Sequence, residues 1–205
     1  MVRAGLRALL QSEAGTSIVG EAADGRTVVK MAADLAPDVI VMDISMPELN
    51  GVEATRQVMA DGHGTKVIAL SGHSDSQFVQ EMLRAGATGY VPKEAAFEEL
   101  TIALRTVVAN KVYLSPRVTG VAVNEIVRPH TIDGKSIFTS LSSREREVLQ
   151  LIAEGISTKR AAMQLHVSVK TIETHRRNIM DKLGLDSVAQ LTKYAIRQGI
   201  TSLDA

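Results

Sequence analysis

The chain has 205 residues with 23 basic and 23 acidic side chains, so it is neutral overall, and 45% of it is hydrophobic, enough for one large or two small packed cores. The absence of cysteine removes disulfides, thiolate metal sites and thiol nucleophiles together, and with no Trp, three Phe and three Tyr there is no aromatic platform for stacking single-stranded bases. No apolar run approaches the ~18 residues of a membrane span and no signal-peptide pattern opens the chain, whereas charge divides by region: residues 1–109 carry nine basic and fourteen acidic side chains, residues 141–205 ten and seven.

In chain order, the first hundred residues alternate helical and strand patterns, which predicts an α/β domain on a parallel sheet. Residues 2–10 read as a helix, 17–22 (SIVGEA) as a short strand and 25–35 as a helix that Pro37 ends ahead of the apolar strand 39–42. Asp43 closes that strand. After the loop ISMPELNG the pattern gives a helix over 52–60, a strand over 66–70, a helix over 76–84, a strand over 89–91 and a helix over 97–109.

Ligands of open parallel sheets sit beyond the carboxyl ends of the strands, and Asp43, Ser71 and Lys93 all fall there. A carboxylate at that position can attack phosphorus, a lysine can neutralise a phosphoryl oxygen, and a hydroxyl can adjust its hydrogen bond once the charge arrives. Singly, each has a blander reading as a helix cap, a turn residue or a solvated side chain. Their shared register is what makes chance a poor explanation.

The segments DISMPELNG, then LSG at 70–72, then GYVPK at 89–93, resemble the receiver domain of bacterial two-component response regulators. The resemblance implies a flavodoxin-like fold in which Asp43 is the phosphoacceptor, Lys93 contacts the phosphate and Ser71 with Tyr90 forms the switch pair. Lys93 is followed by Glu94 rather than the proline of many receivers, a departure common in the NarL/FixJ class. Receivers of this kind begin with a strand ending in two acidic residues that help hold Mg²⁺, and here MVRAGLRALL already reads as the first helix, so the first strand is expected to be missing. Asp43 and the Ser45 backbone carbonyl, the remaining ligands the family implies, would then leave water at the other positions of a near-octahedral Mg²⁺, with reduced affinity. A gene start assigned at an internal methionine, or a deliberate shortening, accounts for this better than natural loss of phosphorylation, since Asp43, Ser71, Tyr90 and Lys93 are all kept.

Residues 110–140 contain Pro116, Gly120, Pro129 and Gly134 without sustained periodicity and read as a linker, with a short helix after Pro116. The second domain, 141–205, opens on a capping box, Ser142 with Glu145, ahead of Val148, Leu149 and Ile152. A helix over 158–165 buries Ala161, Ala162 and Leu165. The brief link His166-Val167-Ser168 ends in an N-cap, and a second helix follows with Ile172, Ile179 and Leu183 inward. That period turns Glu173, Thr174 and Arg177 outward near the helix start, where a helix-turn-helix reads base edges. Ser168, Lys170, Arg176 and Lys182 are placed to hold DNA backbone, Glu173 to accept from a cytosine amino group, and Thr171 joins them as a DNA-binding candidate. The bland alternative, a solvated basic helix pair, would follow from charge alone. His175, three residues past Ile172, suits a phosphate contact and the inner edge of the helix equally.

The stretch from LSSREREVLQ to IRQGI resembles the LuxR-type DNA-binding domain over its whole length. Together the two resemblances describe a NarL/FixJ-class response regulator: a cytoplasmic transcription factor, not an enzyme, phosphorylated on Asp43 by a sensor histidine kinase, whose helix-turn-helix binds double-stranded DNA as a homodimer paired through the final helix, about 187–198. Two other functions compete. A constitutive DNA-binding protein with a degenerate receiver would bind equally with and without phosphodonor. A dehalogenase-like phosphotransferase would need a second Asp two residues after the nucleophile, where this chain has Ser45.

Overall fold

The computed structural model describes residues 2–72, 76–120 and 140–201. Its first region is a parallel sheet of four strands in the order β1-β2-β3-β4: β1 is Val39–Asp43, β2 Lys66–Ser71, β3 Gly89–Pro92 and β4 Tyr113–Leu114. Helices α1 (Val2–Ser12), α2 (Gly25–Leu35), α3 (Gly51–Ala60), α4 (Ser76–Arg84) and α5 (Ala96–Val108) cover it. β2 shows why both faces must be covered, since its side chains alternate between two cores. Val67 and Ala69 join residues of α3 and α4, including Val52, Val79 and Met82, with Val28 and Val29 of α2 packed against them. Ile68 and Leu70 join Leu6 of α1 with Leu100 and Ala103 of α5.

Caps set the helix limits. Asp24 accepts from the Thr27 amide at 2.8 Å to start α2, which stops at Ala36 in the left-handed region just before Pro37. Asn50 caps α3 by accepting from the amides of Val52 and Glu53.

Two expectations fail here. Residues 17–22 form no strand, and Val19 is 58% exposed. A strand exists only within a ladder, and among the described residues none runs beside this segment; β1 is the edge of the sheet and pairs with β2 alone. Conversely, the stretch read as linker begins with β4, which pairs with β3 through Gly89 with Tyr113 and Tyr90 with Leu114. Two residues carry no period, so no pattern could announce it. The Tyr113 hydroxyl donates to Glu99 at 2.9 Å, and burial, with the Glu99 bond and charge adding to it, pushes its pKa up to about 12, so the proton that ties β4 to α5 stays in place. Residues 116–120 are helical, as expected after Pro116, and 121–139 lie outside the described residues.

The second region is four helices, α6 (Ser143–Ala153), α7 (Thr158–Gln164), α8 (Val169–Leu183) and α9 (Val188–Arg197), around a core that includes Leu149, Leu151, Ala161, Ile172, Ile179 and Leu191. The capping box is present in full. Ser142 N–H donates to Glu145 Oε2 at 2.8 Å, and Glu145 N–H donates to Ser142 Oγ at 3.3 Å.

Candidate functional site

β1, β2 and β3 run parallel and in register, with Asp43 opposite Leu70 and Ser71 opposite Pro92, so Asp43, Ser71 and Lys93 emerge at one end of the sheet. Lys93 Nζ donates to Asp43 Oδ2 at 2.6 Å, and the Ser45 amide donates to Oδ1 at 3.1 Å. The carboxylate is 35% exposed, so an incoming group can reach it. Ser71 is fully buried at the end of β2, and Tyr90 is fully buried on β3 opposite Ala69. The sheet therefore brings Asp43, Ser71 and Lys93 to one edge and sets Tyr90 one step back, inside the core.

Two glycines shape this edge, and pattern reading passed over both. A Cβ on Gly51 would lie 2.1 Å from the Asp43 carbonyl oxygen, and one on Gly25 would lie 1.9 Å from the Leu49 carbonyl oxygen. Only glycine allows α3 and α2 to begin so close to the loop after β1. The signal was in plain view as the last letter of ELNG, though nothing in the spacing said what it approached.

As a Mg²⁺ site the arrangement is poor. Asp43 and the Ser45 carbonyl would supply two of about six oxygens, and among the described residues no group of three or more His, Asp or Glu side chains could hold a metal ion. The residues present do not fit a protein-built Mg²⁺ cage.

In the second region, α7 and α8 are joined by His166, in the left-handed region at φ 52, and Val167, with Ser168 accepting from the Thr171 amide at 3.0 Å. Ile172 and Ile179 face inward and Leu183 is half-buried; Lys170, Glu173, Thr174 and Arg177 are exposed, with Thr171 and Arg176 half-buried beside them. Glu173, Arg176 and Arg177 border an open depression of about 510 Å³ along this helix. The outward face thus carries a carboxylate, a hydroxyl and guanidinium groups at the end of the helix that enters a groove. Thr174 Oγ1 donates to the Lys170 carbonyl at 2.9 Å, so it must release that bond to donate elsewhere.

Lys182 lies exposed near the end of α8, and its Nζ donates to Glu145 Oε2 at 2.7 Å, tying α8 to α6. Burial raises the Glu145 carboxyl, but hydrogen bonds from Lys182 and Ser142 outweigh it and hold the group below its ordinary value. His175 is half-buried with Nδ1 enclosed and unpartnered, which places it at the inner edge of the helix.

A parallel sheet with an acid–lysine pair at its strand ends, carried on one chain with a helix-turn-helix, is the architecture of regulators that couple a receiver to a DNA reader. The chain belongs to the response regulators: the response regulator receiver domain family matches residues 1–105, and the luxR family of bacterial regulatory proteins matches residues 139–195. The oxygen regulatory protein NreC of Staphylococcus carnosus (strain TM300) is 38% identical over 202 residues, covering 97% of this chain and 93% of that protein. Among solved structures, RcsB of Salmonella enterica serovar Typhimurium, bound to a promoter in the presence of a phosphomimetic, is 25% identical with a TM-score of 0.58 over 98% of this chain and 94% of that one. The response regulator ChrA of a heme-sensing two-component system is 31% identical with a TM-score of 0.50, over 97% and 92%. This chain is a response regulator with a receiver domain and a LuxR-type DNA-binding domain. Among the described residues no helix is long and apolar enough to cross a membrane.

Proposed function

We propose that Asp43 accepts a phosphoryl group from a sensor histidine kinase in the cytoplasm, and that this controls sequence-specific binding of double-stranded DNA by α8. The observation that carries this reading is the 2.6 Å contact between Lys93 Nζ and Asp43 Oδ2 at the open end of the sheet. An Asp43 carboxylate oxygen forms the new P–O bond as the P–N bond to the kinase histidine breaks, and the electron pair leaves with the imidazole. Lys93 stands where it can neutralise the net gain of about one negative charge as the carboxylate becomes an acyl phosphate, and Ser71 and Tyr90 respond to it as the switch pair. Receiver domains as a class bind Mg²⁺. Here Asp43 and the Ser45 carbonyl would be the protein's ligands to such an ion.

The receiver unit reaches at least to Val118, since β4 belongs to its sheet and Val118 to its core, and the DNA-binding unit includes α6 with its Ser142 cap. On DNA, Glu173, Thr174 and Arg177 read bases, while Lys170, Thr171 and Arg176 hold the backbone. Lys182 reaches a phosphate only by leaving Glu145. RcsB bound to its promoter supports the DNA partner, and α9, with Val188, Ala189 and Lys193 exposed, is the surface through which two copies pair. The test is DNA binding to duplexes selected from a random pool, with and without acetyl phosphate, alongside intact-mass measurement. An added phosphoryl group on Asp43 with a change in affinity is expected; equal affinity for modified and unmodified chain overturns the switch.

A further inference from the structure

The helix that opens the DNA-binding domain does something its own domain does not need. Gln150 on α6 is 0% exposed, and its amide group makes four hydrogen bonds, three of them to the receiver. Oε1 accepts from the Asn50 backbone N–H at 2.8 Å and from Asn50 Nδ2 at 3.1 Å; Nε2 donates to the Met46 carbonyl at 2.8 Å and to Glu154 Oε1 at 2.8 Å. One turn on, Glu154 Oε2 accepts from the Glu48 amide at 3.0 Å. Residues 46–50 are the loop that leaves the phosphoacceptor, and α6 satisfies the Met46 carbonyl and the Glu48 and Asn50 amides within it.

Backbone geometry adds a second, independent sign of restraint. Glu48 stands at φ 64, a conformation that L residues seldom hold unless the surroundings impose it, and its own amide is the one Glu154 binds. Within the receiver the same loop is anchored by Ile44 N–H to Leu70 O at 3.2 Å and Gly51 N–H to Ile44 O at 2.8 Å. Its middle is held from both sides, by Gly25 N–H to Pro47 O at 3.4 Å and Leu49 N–H to Pro47 O at 2.7 Å within the receiver and by Gln150 and Glu154 from the other domain.

We propose that Gln150, seconded by Glu154, restrains phosphoryl transfer at Asp43 by holding the loop that follows it. The proposal rests on the reading of Asp43 as phosphoacceptor. The loop is held in the arrangement that serves the unmodified carboxylate, with the Ser45 amide on Asp43 Oδ1 at 3.1 Å. A phosphoryl group brings three more acceptor oxygens to that spot, and the Ser45 amide must move to meet them. A grip that favours the unmodified arrangement slows this change, and by reciprocity modification weakens the grip. The output domain is in this way part of the receiver's chemistry.

The experiment uses the full chain with acetyl phosphate as donor: an Asp43 oxygen bonds to phosphorus, the P–O bond to the acetyl group breaks, and acetate leaves with the electron pair. Intact mass against time gives the rate for wild type, Q150A, E154A and D43A, and hydrogen exchange of the 44–52 segment gives loop mobility. Q150A is expected to phosphorylate about fivefold faster or more, the scale of roughly one net hydrogen bond, with faster exchange in the loop and unchanged exchange in α8. E154A should move both readouts the same way by less, and it decides the matter where Q150A fails to fold. Mass gain at equal or slower rates in the variants overturns the proposal alone. No mass gain in wild type or the variants overturns the phosphoacceptor reading and this proposal with it.

Discussion

The two regions hold their functional groups by opposite means. In the receiver, Asp43 and Lys93 lie at strand ends, and the loop after Asp43 is kept in shape by backbone approaches that only Gly25 and Gly51 permit and by bonds from another domain. In the DNA-binding region the functional groups ride on one helix, α8, with Ser168 capping its start and Gly184 in the left-handed region at its end. Charge arriving at a loop can be answered by movement, whereas base reading needs side chains on a rigid frame. The chemistry therefore sits where the backbone can rearrange and the recognition where it cannot.

Four experiments put this contrast to the test. Asp43→Ala should abolish the response of DNA binding to phosphodonor altogether while leaving unstimulated binding in place, measured by gel shift with and without acetyl phosphate. A surviving response would place the switch elsewhere. Next comes the seam between the regions, where Arg146 Nε donates to Glu53 Oε1 at 2.6 Å with side chains 3% and 2% exposed. Arg146→Ala leaves the buried Glu53 carboxylate with only Arg56 Nε at 3.8 Å and should cost about 3 kcal/mol in urea unfolding, splitting one transition into two. A single, barely shifted transition would mean the regions do not support one another.

On the reader, Arg177→Ala should cost about 1–3 kcal/mol on a selected duplex and relax preference at one position; Lys170→Ala should weaken all sequences alike and lower the salt slope by about 1. Interchanged outcomes would reverse the two assignments. The smallest effect belongs to Lys182, whose side chain is 46% exposed; Lys182→Ala should cost under about 1 kcal/mol at neutral pH. Since the folded-state pKa of Glu145 is depressed, the pair's contribution is present above the ordinary carboxylate value and lost as pH falls through the folded one. Wild type and variant should therefore converge in acid, as thermal melts across pH would show.

Sequence pattern served best where structure is local. The limits of α2 and α4, the Ser142–Glu145 box and the Ser168 cap follow from residues within a few positions of one another. It served worst where a partner decides. SIVGEA has strand composition but no ladder to join, and YL has too few residues to show a period although β3 recruits it. The strand-end set of Asp43, Ser71 and Lys93 was legible because parallel topology dictates where ligands meet a sheet. Gln150 and Arg146 were not: on a helix reading REREVLQ they look like solvated surface, and only the receiver lying over them turns that polar face into an interior.

One feature of the sheet bears on handling the protein. β1, with the run Val39-Ile40-Val41-Met42, ends the sheet on its open side and has no neighbour there among the described residues. Apolar margins of this kind template annealing of one chain onto the next. Concentrated stocks will accordingly lose soluble material at a rate that climbs faster than protein content, and dilute storage will slow that loss.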